Sequence, residues 1–201
     1  MRNNLKKSIS CIMCILILSY CVSAYAITHQ KRESHFDRMT KAAHRGDGSA
    51  QLWLAERYFR QKNYIHAFKW YEMAARRDYV KAKLRLGDMY YNGWGTIPDP
   101  NNAFRWYNEA ARNGNPEAQY KLGDMYYKGY GTMQSYIEAF KWFSTSAKNR
   151  NTEAQFNLGN MYYKGLGTEK NYNEAIRWYR EASRHDHAGA RQILQQLGES
   201  W

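Results

Sequence analysis

Cysteine is nearly missing from this chain. Its 201 residues hold three, Cys11, Cys14 and Cys21, all within the first 26 positions. If that stretch is a leader that is removed, what remains has no disulfide, no thiolate nucleophile and no cysteine-ligated metal. An exported protein of that kind must hold itself by packing alone. Long apolar runs are scarce as well. Ile9 to Val22 is a run of 14 residues, short for a membrane span. Arg2, Lys6 and Lys7 precede it and Ala24-Tyr25-Ala26 follows it, the pattern of a cleaved secretory signal. We therefore expect a signal peptide over 1–26 and a flexible tail over 27–33. An uncleaved anchor is the alternative. The bulky Tyr20 before Cys21 argues against a lipoprotein site. The expectation is a periplasmic or secreted protein with no integral membrane segment after cleavage.

Other signatures are missing too. No run of four or more Lys and Arg occurs, so nucleic-acid binding has little support. The formal charge is +12, and the leader takes three basic residues and no acidic one, which leaves +9. That excess suits acidic partners such as anionic envelope polymers, or it is ordinary solubility charge. No Gly-x-Ser-x-Gly, ordered Ser-His-Asp or isolated carboxylate pair stands out. Of six histidines only His185-Asp186-His187 is clustered, and two His two apart at a helix end point in different directions. We expect no metal site there, and read these histidines as dipole partners of a helix C-terminus. No cofactor is expected.

What the chain has in abundance is repetition. Lys83–Thr96, Gln119–Thr132 and Gln155–Thr168 share a pattern, KLRLGDMYYNGWGT in the first of them. The Leu-Gly pair falls at 86–87, 122–123 and 158–159, a step of 36. Trp70, Trp106, Trp142 and Trp178 keep the same step, each with an Ala three residues before it. A fixed period of this length signals stacked helical repeats.

These residues resemble the Sel1-like repeat family, kin of tetratricopeptide repeats. Ala118, Leu122, Gly123, Met125, Tyr126, Gly129, Gly131, Ala139, Trp142, Phe143 and Ala147 carry the match in one repeat, and it covers about 41 to 194. The resemblance implies an all-α, right-handed superhelical α-solenoid of about four helix-pair repeats with half-repeat caps, over 34–198, and a C-terminal tail over 199–201. It also implies a protein-interaction scaffold. A cysteine-rich secreted branch of the family is linked to penicillin-binding and weak β-lactamase activity. The missing cysteines set this chain apart from that branch.

Read as helices, Asp47–Tyr58, Val80–Asn92, Pro116–Lys128 and Thr152–Lys164 are the first members of the pairs (A). Tyr64–Arg76, Asn101–Asn113, Tyr136–Asn149 and Tyr172–His185 are the second (B). Ser34–His44 and Ala188–Leu197 are the end helices. Pro98 and Pro100 are placed in a loop, and Asn115-Pro116 starts a helix. Gly87, Gly123 and Gly159 are expected to admit helix B closely. The Gly-x-Gly pairs at 93–95, 129–131 and 165–167 follow a helix and lack the Lys-Ser/Thr of a phosphate loop, so they are read as φ > 0 turns. The first repeat replaces this loop with the tighter Arg60–Asn63.

At 100° per residue, Ala118, Leu122, Met125 and Tyr126 share one helix face, while Tyr120, Asp124, Tyr127 and Lys128 share the other. The second face, followed through the repeats, is the concave face that the resemblance implies. Its candidate partner-binding residues are Phe59, Asp88, Tyr91, Tyr120, Asp124, Tyr127, Lys128, Phe156, Asn160, Tyr163 and Lys164. Aromatic rings beside acidic and basic groups suit a peptide segment. The bland alternative is that these rings pack between adjacent A helices. A second column, Lys69, Arg105, Lys141 and Arg177, suits an anionic polymer such as peptidoglycan, or a solvated helix face. The expected function is a non-enzymatic adaptor in the bacterial envelope or outside the cell, including contact with host cells. A penicillin-interacting hydrolase and a polymer binder are the alternatives. The expected partner is a protein, and the expected state is a monomer or weak dimer.

Overall fold

The computed structural model describes Ser34 to Ser200. The expected signal peptide over 1–26, the expected tail over 27–33 and Trp201 lie outside the described residues. The chain divides into two compact units, residues 1–41 and 42–201. In the first, Ser34 and Asp37 open helix α1 (His35–His44) with a reciprocal cap. The Asp37 N–H donates to Ser34 Oγ at 3.1 Å, and the Ser34 N–H donates to the Asp37 carboxylate at 3.2 Å.

The second unit is an α-solenoid. Its helices are α2 (Gly48–Arg60), α3 (Tyr64–Ala75), α4 (Val80–Asn92), α5 (Pro100–Arg112), α6 (Pro116–Lys128), α7 (Tyr136–Lys148), α8 (Thr152–Lys164), α9 (Tyr172–Arg184) and α10 (Ala188–Gln196). Even-numbered helices are the A members and odd-numbered ones the B members.

Local chemistry sets these boundaries. Every B helix opens on a side-chain cap: Asn63, Asp99, Ser135 and Asn171 accept from backbone N–H groups inside their helices. Asp47, Asn115, Asn151 and His187 do the same for A helices. Two expectations are corrected here. Pro100 is not in the loop but is the first residue of α5, where its missing N–H costs nothing because Asp99 is the cap. His187 does not complement a helix C-terminus; its Nδ1 accepts the Ala190 N–H at 3.0 Å and caps the start of α10. The A helices of the three full-length repeats end on Gly93, Gly129 and Gly165 at φ near +70°, each N–H returning to a Met carbonyl four residues back.

The core lies at the seams. Each buried cluster joins a B helix to the next A helix. Ala67, Tyr71 and Ala74 of α3 meet Leu86 and Met89 of α4. Ala103, Tyr107 and Ala110 of α5 meet Leu122 and Met125 of α6. Phe143 and Ala147 of α7 meet Leu158 and Met161 of α8. Stacking one repeat on the next therefore completes the core. Burying one Leu or Met at such a seam contributes about 1.5–3 kcal/mol. The seams are also stitched by rings: Phe68–Tyr90, Phe104–Tyr126 and Phe140–Tyr162 meet edge-on, each at 5.2 Å.

Within a repeat, the Leu-Gly glycine decides how close helix B comes. A Cβ on Gly123 would lie 2.7 Å from the Phe143 ring, and one on Gly159 2.7 Å from Tyr179. Gly87 stands against Tyr107 in the same way.

A further ladder escaped the sequence reading. Gln51, Gln119 and Gln155 are buried, and each Nε2 donates to the carbonyl eight residues back, Ala43, Ala111 or Ala147, at the end of the preceding helix. Each of these carbonyls also accepts a backbone N–H of the turn that follows, from Gly46, Gly114 or Arg150, and the amide uses its second lone pair. Lys83 takes this place in α4. Its ammonium instead reaches Asp78 at 2.8 Å and Glu109 at 3.0 Å.

Candidate partner-binding face

The proposed face divides into residues used by the fold and residues left open. Phe59 belongs to the fold: its ring meets Tyr64 at 5.3 Å, Trp94 at 5.4 Å and Tyr71 at 6.3 Å. Phe156 is stacked on His187 at 4.2 Å. Tyr120 leans on Phe143 at 5.8 Å, and burial, with Asp124 nearby, raises the pKa of its hydroxyl. Tyr91, Tyr127 and Tyr163 are partly exposed, and each meets a ring of a loop or of helix B edge-on: Tyr130 at 5.1 Å, Tyr136 at 5.3 Å and Tyr172 at 5.2 Å. Tyr127 also meets Phe143 at 6.5 Å.

Asp88 departs most from the expectation that it fixes a partner's polarity. It is 4% exposed. Its carboxylate accepts the Tyr107 hydroxyl at 2.9 Å and pairs with Arg85 at 3.1 Å and Lys121 at 3.2 Å. Burial, reinforced by the Asp88 charge, drives the Tyr107 pKa well above the ordinary tyrosine value. Asp88 is a joint that ties α4 to α5 and to Lys121 of α6, with both carboxylate oxygens engaged.

The same joint recurs with variations. Asn160 Oδ1 accepts the Tyr179 hydroxyl at 2.8 Å. Burial pushes Tyr179 up to about 12. In the first repeat Glu56 sits beside Tyr71 and pairs with Lys81 at 3.1 Å. In the third repeat the B-helix ring is Phe143, which has no hydroxyl. Asp124 is left to Lys128 at 2.7 Å, a bond that raises the pKa of the lysine.

Next to Phe143 the face opens into a cavity of about 200 Å³. It gathers five of the sequence-derived candidates, Asp124, Tyr127, Lys128, Asn160 and Lys164, with Asn157 and Leu166 added. It does not include Phe59, Asp88, Tyr91, Tyr120, Phe156 or Tyr163. Sequence reasoning missed Asn157 and Leu166. It also missed the consequence of Phe143, although that signal was visible: Tyr71, Tyr107 and Tyr179 occupy the matching positions.

The outer basic column is largely occupied. Lys141 pairs with Glu138 at 2.6 Å and Arg177 with Glu174 at 3.2 Å, while Arg105 donates to Asn102 at 3.3 Å. Arg177 also lies over the Trp178 ring at 5.4 Å. Among the described residues no group of three or more His, Cys, Asp and Glu could hold a metal ion. No described helix is long and apolar enough to cross a membrane.

Against known structures, the chain is similar to a protective antigen of uropathogenic Escherichia coli strains that displays an SLR fold. The two are 33% identical over 82% of this chain and 36% of that one, with a TM-score of 0.77. It is similar to a Sel1 repeat protein from Oxalobacter formigenes, 33% identical over 79% of this chain and 47% of that one, with a TM-score of 0.71. The chain thus spans less than half the length of either. A looser likeness, to Helicobacter pylori cysteine rich protein B, has 24% identity over 60% of this chain and 92% of that one, with a TM-score of 0.50, and bears on the fold alone. No curated protein matches the sequence. The Sel1 repeat pattern matches four times, at residues 48–79, 80–115, 116–151 and 152–187, at the spacing of the four helix pairs, and the chain belongs to the Sel1 repeat family.

Proposed function

We propose that this protein is a non-enzymatic interaction scaffold that holds a segment of a protein partner on the exposed face of its A helices. Sel1 repeats are in general protein-interaction scaffolds. The observation that carries the reading for this chain is the cavity beside Phe143. It gathers polar and aromatic candidates from α6 and α8 at one place on the face. Tyr91 and Tyr163 extend the contact along the neighbouring repeats. Aromatic rings of this kind supply area at low entropy cost.

The proposed place of action is outside the cytoplasm, in the bacterial envelope or beyond it. The leader-like residues 1–26 support this, as does the likeness to a protein described as a protective antigen. Contact with host cells fits the same reading. The hydrolase alternative draws on the cysteine-rich branch, to which this chain is similar in fold only. The polymer-binding alternative needs free charge in the outer column, where Lys141 and Arg177 already face glutamates.

A crosslinked pull-down from native envelope extract tests the scaffold reading. The comparison is wild type against a Tyr91→Ala, Tyr127→Ala, Tyr163→Ala triple variant of confirmed helicity. The expected result is a protein captured by wild type and lost by the variant. Equal capture by both would remove the partner from this face.

A further inference from the structure

The four repeats are built alike, so a position that breaks the pattern is informative. In the second and fourth repeats a tyrosine hydroxyl from helix B fills the space beside the A-helix polar residue. Tyr107 donates to Asp88 at 2.9 Å, and Tyr179 donates to Asn160 at 2.8 Å. Phe143 brings no hydroxyl to the matching point, and a cavity of about 200 Å³ stands next to it. The cavity has an apolar wall, made by Phe143, Leu166 and the ring of Tyr127.

Its polar lining is unevenly used. Asp124 and Lys128 neutralise each other at 2.7 Å. Asn160 has its carbonyl oxygen fixed by the Tyr179 hydroxyl, which leaves both hydrogens of its Nδ2 amide for a ligand. Lys164 lies one turn further along α8, on the same face as Asn160, and is exposed with no anionic partner among the described residues. An amide donor and an unneutralised ammonium, four residues apart on one helix, make a donor pair for an anion of carboxylate size. The wall beside them would take the aliphatic stem of the group that bears it.

We propose that this cavity binds a carboxylate of a peptide segment, held between the Asn160 Nδ2 amide and the Lys164 ammonium, with its aliphatic stem against Phe143 and Leu166. This names the ligand chemistry for the face described above and rests on that scaffold reading. The carboxylate comes either from an acidic side chain or from a chain end. Phe143 is the device that keeps the site open. A hydroxyl there would turn toward Asp124 and occupy the space.

The test is a titration of the ¹⁵N-labelled full chain, followed through the Asn160 side-chain amide signal. The probes are acetyl-Gly-Glu-amide, acetyl-Gly-Gly with a free C-terminus, and acetyl-Gly-Gln-amide as the uncharged control. We expect a saturable shift with one or both carboxylate probes, weakened at least tenfold by Lys164→Ala. Phe143→Tyr is expected to weaken it as much while leaving the melting temperature at or above that of wild type. The responding probe identifies the source of the carboxylate. An equal response to the Gln control, no response to either carboxylate, or binding indifferent to both substitutions would overturn the proposal. Those failures differ from failure of the scaffold reading, which is judged by partner capture with the tyrosine variant.

Discussion

At the scale of single residues, the A-helix ladder Glu56, Asp88, Asp124, Asn160 shows how one position takes two roles. Where helix B offers a tyrosine, the ladder residue is a joint; where it offers Phe143, the residue faces an open cavity. Removing the joint is costly. Asp88→Ala leaves the buried Tyr107 hydroxyl without its acceptor and two cations without their anion. The expected loss is about 3 kcal/mol, read from urea denaturation. Tyr107→Phe removes one hydrogen bond and keeps both ion pairs, so about 1 kcal/mol is expected. The helical period gave only the direction in which Asp88 leaves the axis of α4. It could not place Lys121 and Tyr107 around it, because those contacts cross from one helix to another. Periodicity reports a direction from the helix axis, and occupancy of that direction depends on neighbours 19 and 33 residues away.

At the scale of elements, most of the architecture was legible because caps and glycines act locally. Helix starts at Asn115 and Asn151 and the left-handed glycines at the A-helix ends could be read from residue type. The B-to-A turns were not. Gly46 and Gly114 occupy φ > 0 there, and so do Asp78, Arg150 and Asp186, which give no such signal in the sequence. Arg150 at φ 63° has a Cβ in a conformation that disfavours it. Arg150→Gly is expected to stabilise the array by about 0.5–1 kcal/mol, after allowing for the looser unfolded chain. A thermal melt checks it. Gly123→Ala should act in the opposite sense. Its methyl would lie 2.7 Å from Phe143, and pushing α7 away from α6 costs about 1–3 kcal/mol. The Gln51, Gln119, Gln155 ladder was invisible for another reason. A glutamine beside an alanine looks like a solvated position until the preceding helix end arrives to claim it.

At the scale of the whole molecule, the seams make the array sensitive to alkali. Tyr71, Tyr107 and Tyr179 are buried, and each is held neutral by burial, with its pKa raised above the usual 10. The folded state therefore keeps these protons at a pH where the unfolded chain has released them. Their stabilising contribution is complete below pH 10 and declines as pH rises, through about 12 for Tyr179. The melting temperature should fall steadily above pH 10. Absorbance at the tyrosinate band should show a late group of tyrosines that ionise together with unfolding. Simultaneous ionisation of all tyrosines near pH 10, with the helix content intact, would contradict this.

Lys83 gives one seam a different character from the others. Three A helices are fastened to the helix before them by a neutral amide on a carbonyl, which neither salt nor acid weakens much. In α4 an ammonium takes the place of the amide, between Asp78 in the turn before the helix and Glu109 of α5, whose side chains are 88% and 54% exposed. Mobile ions reach those carboxylates freely and screen them, and acid discharges them. Salt and acid therefore loosen the ties of α4 to the turn before it and to α5, while the apolar contacts of Tyr71 with Leu86 and Met89 are left as they are.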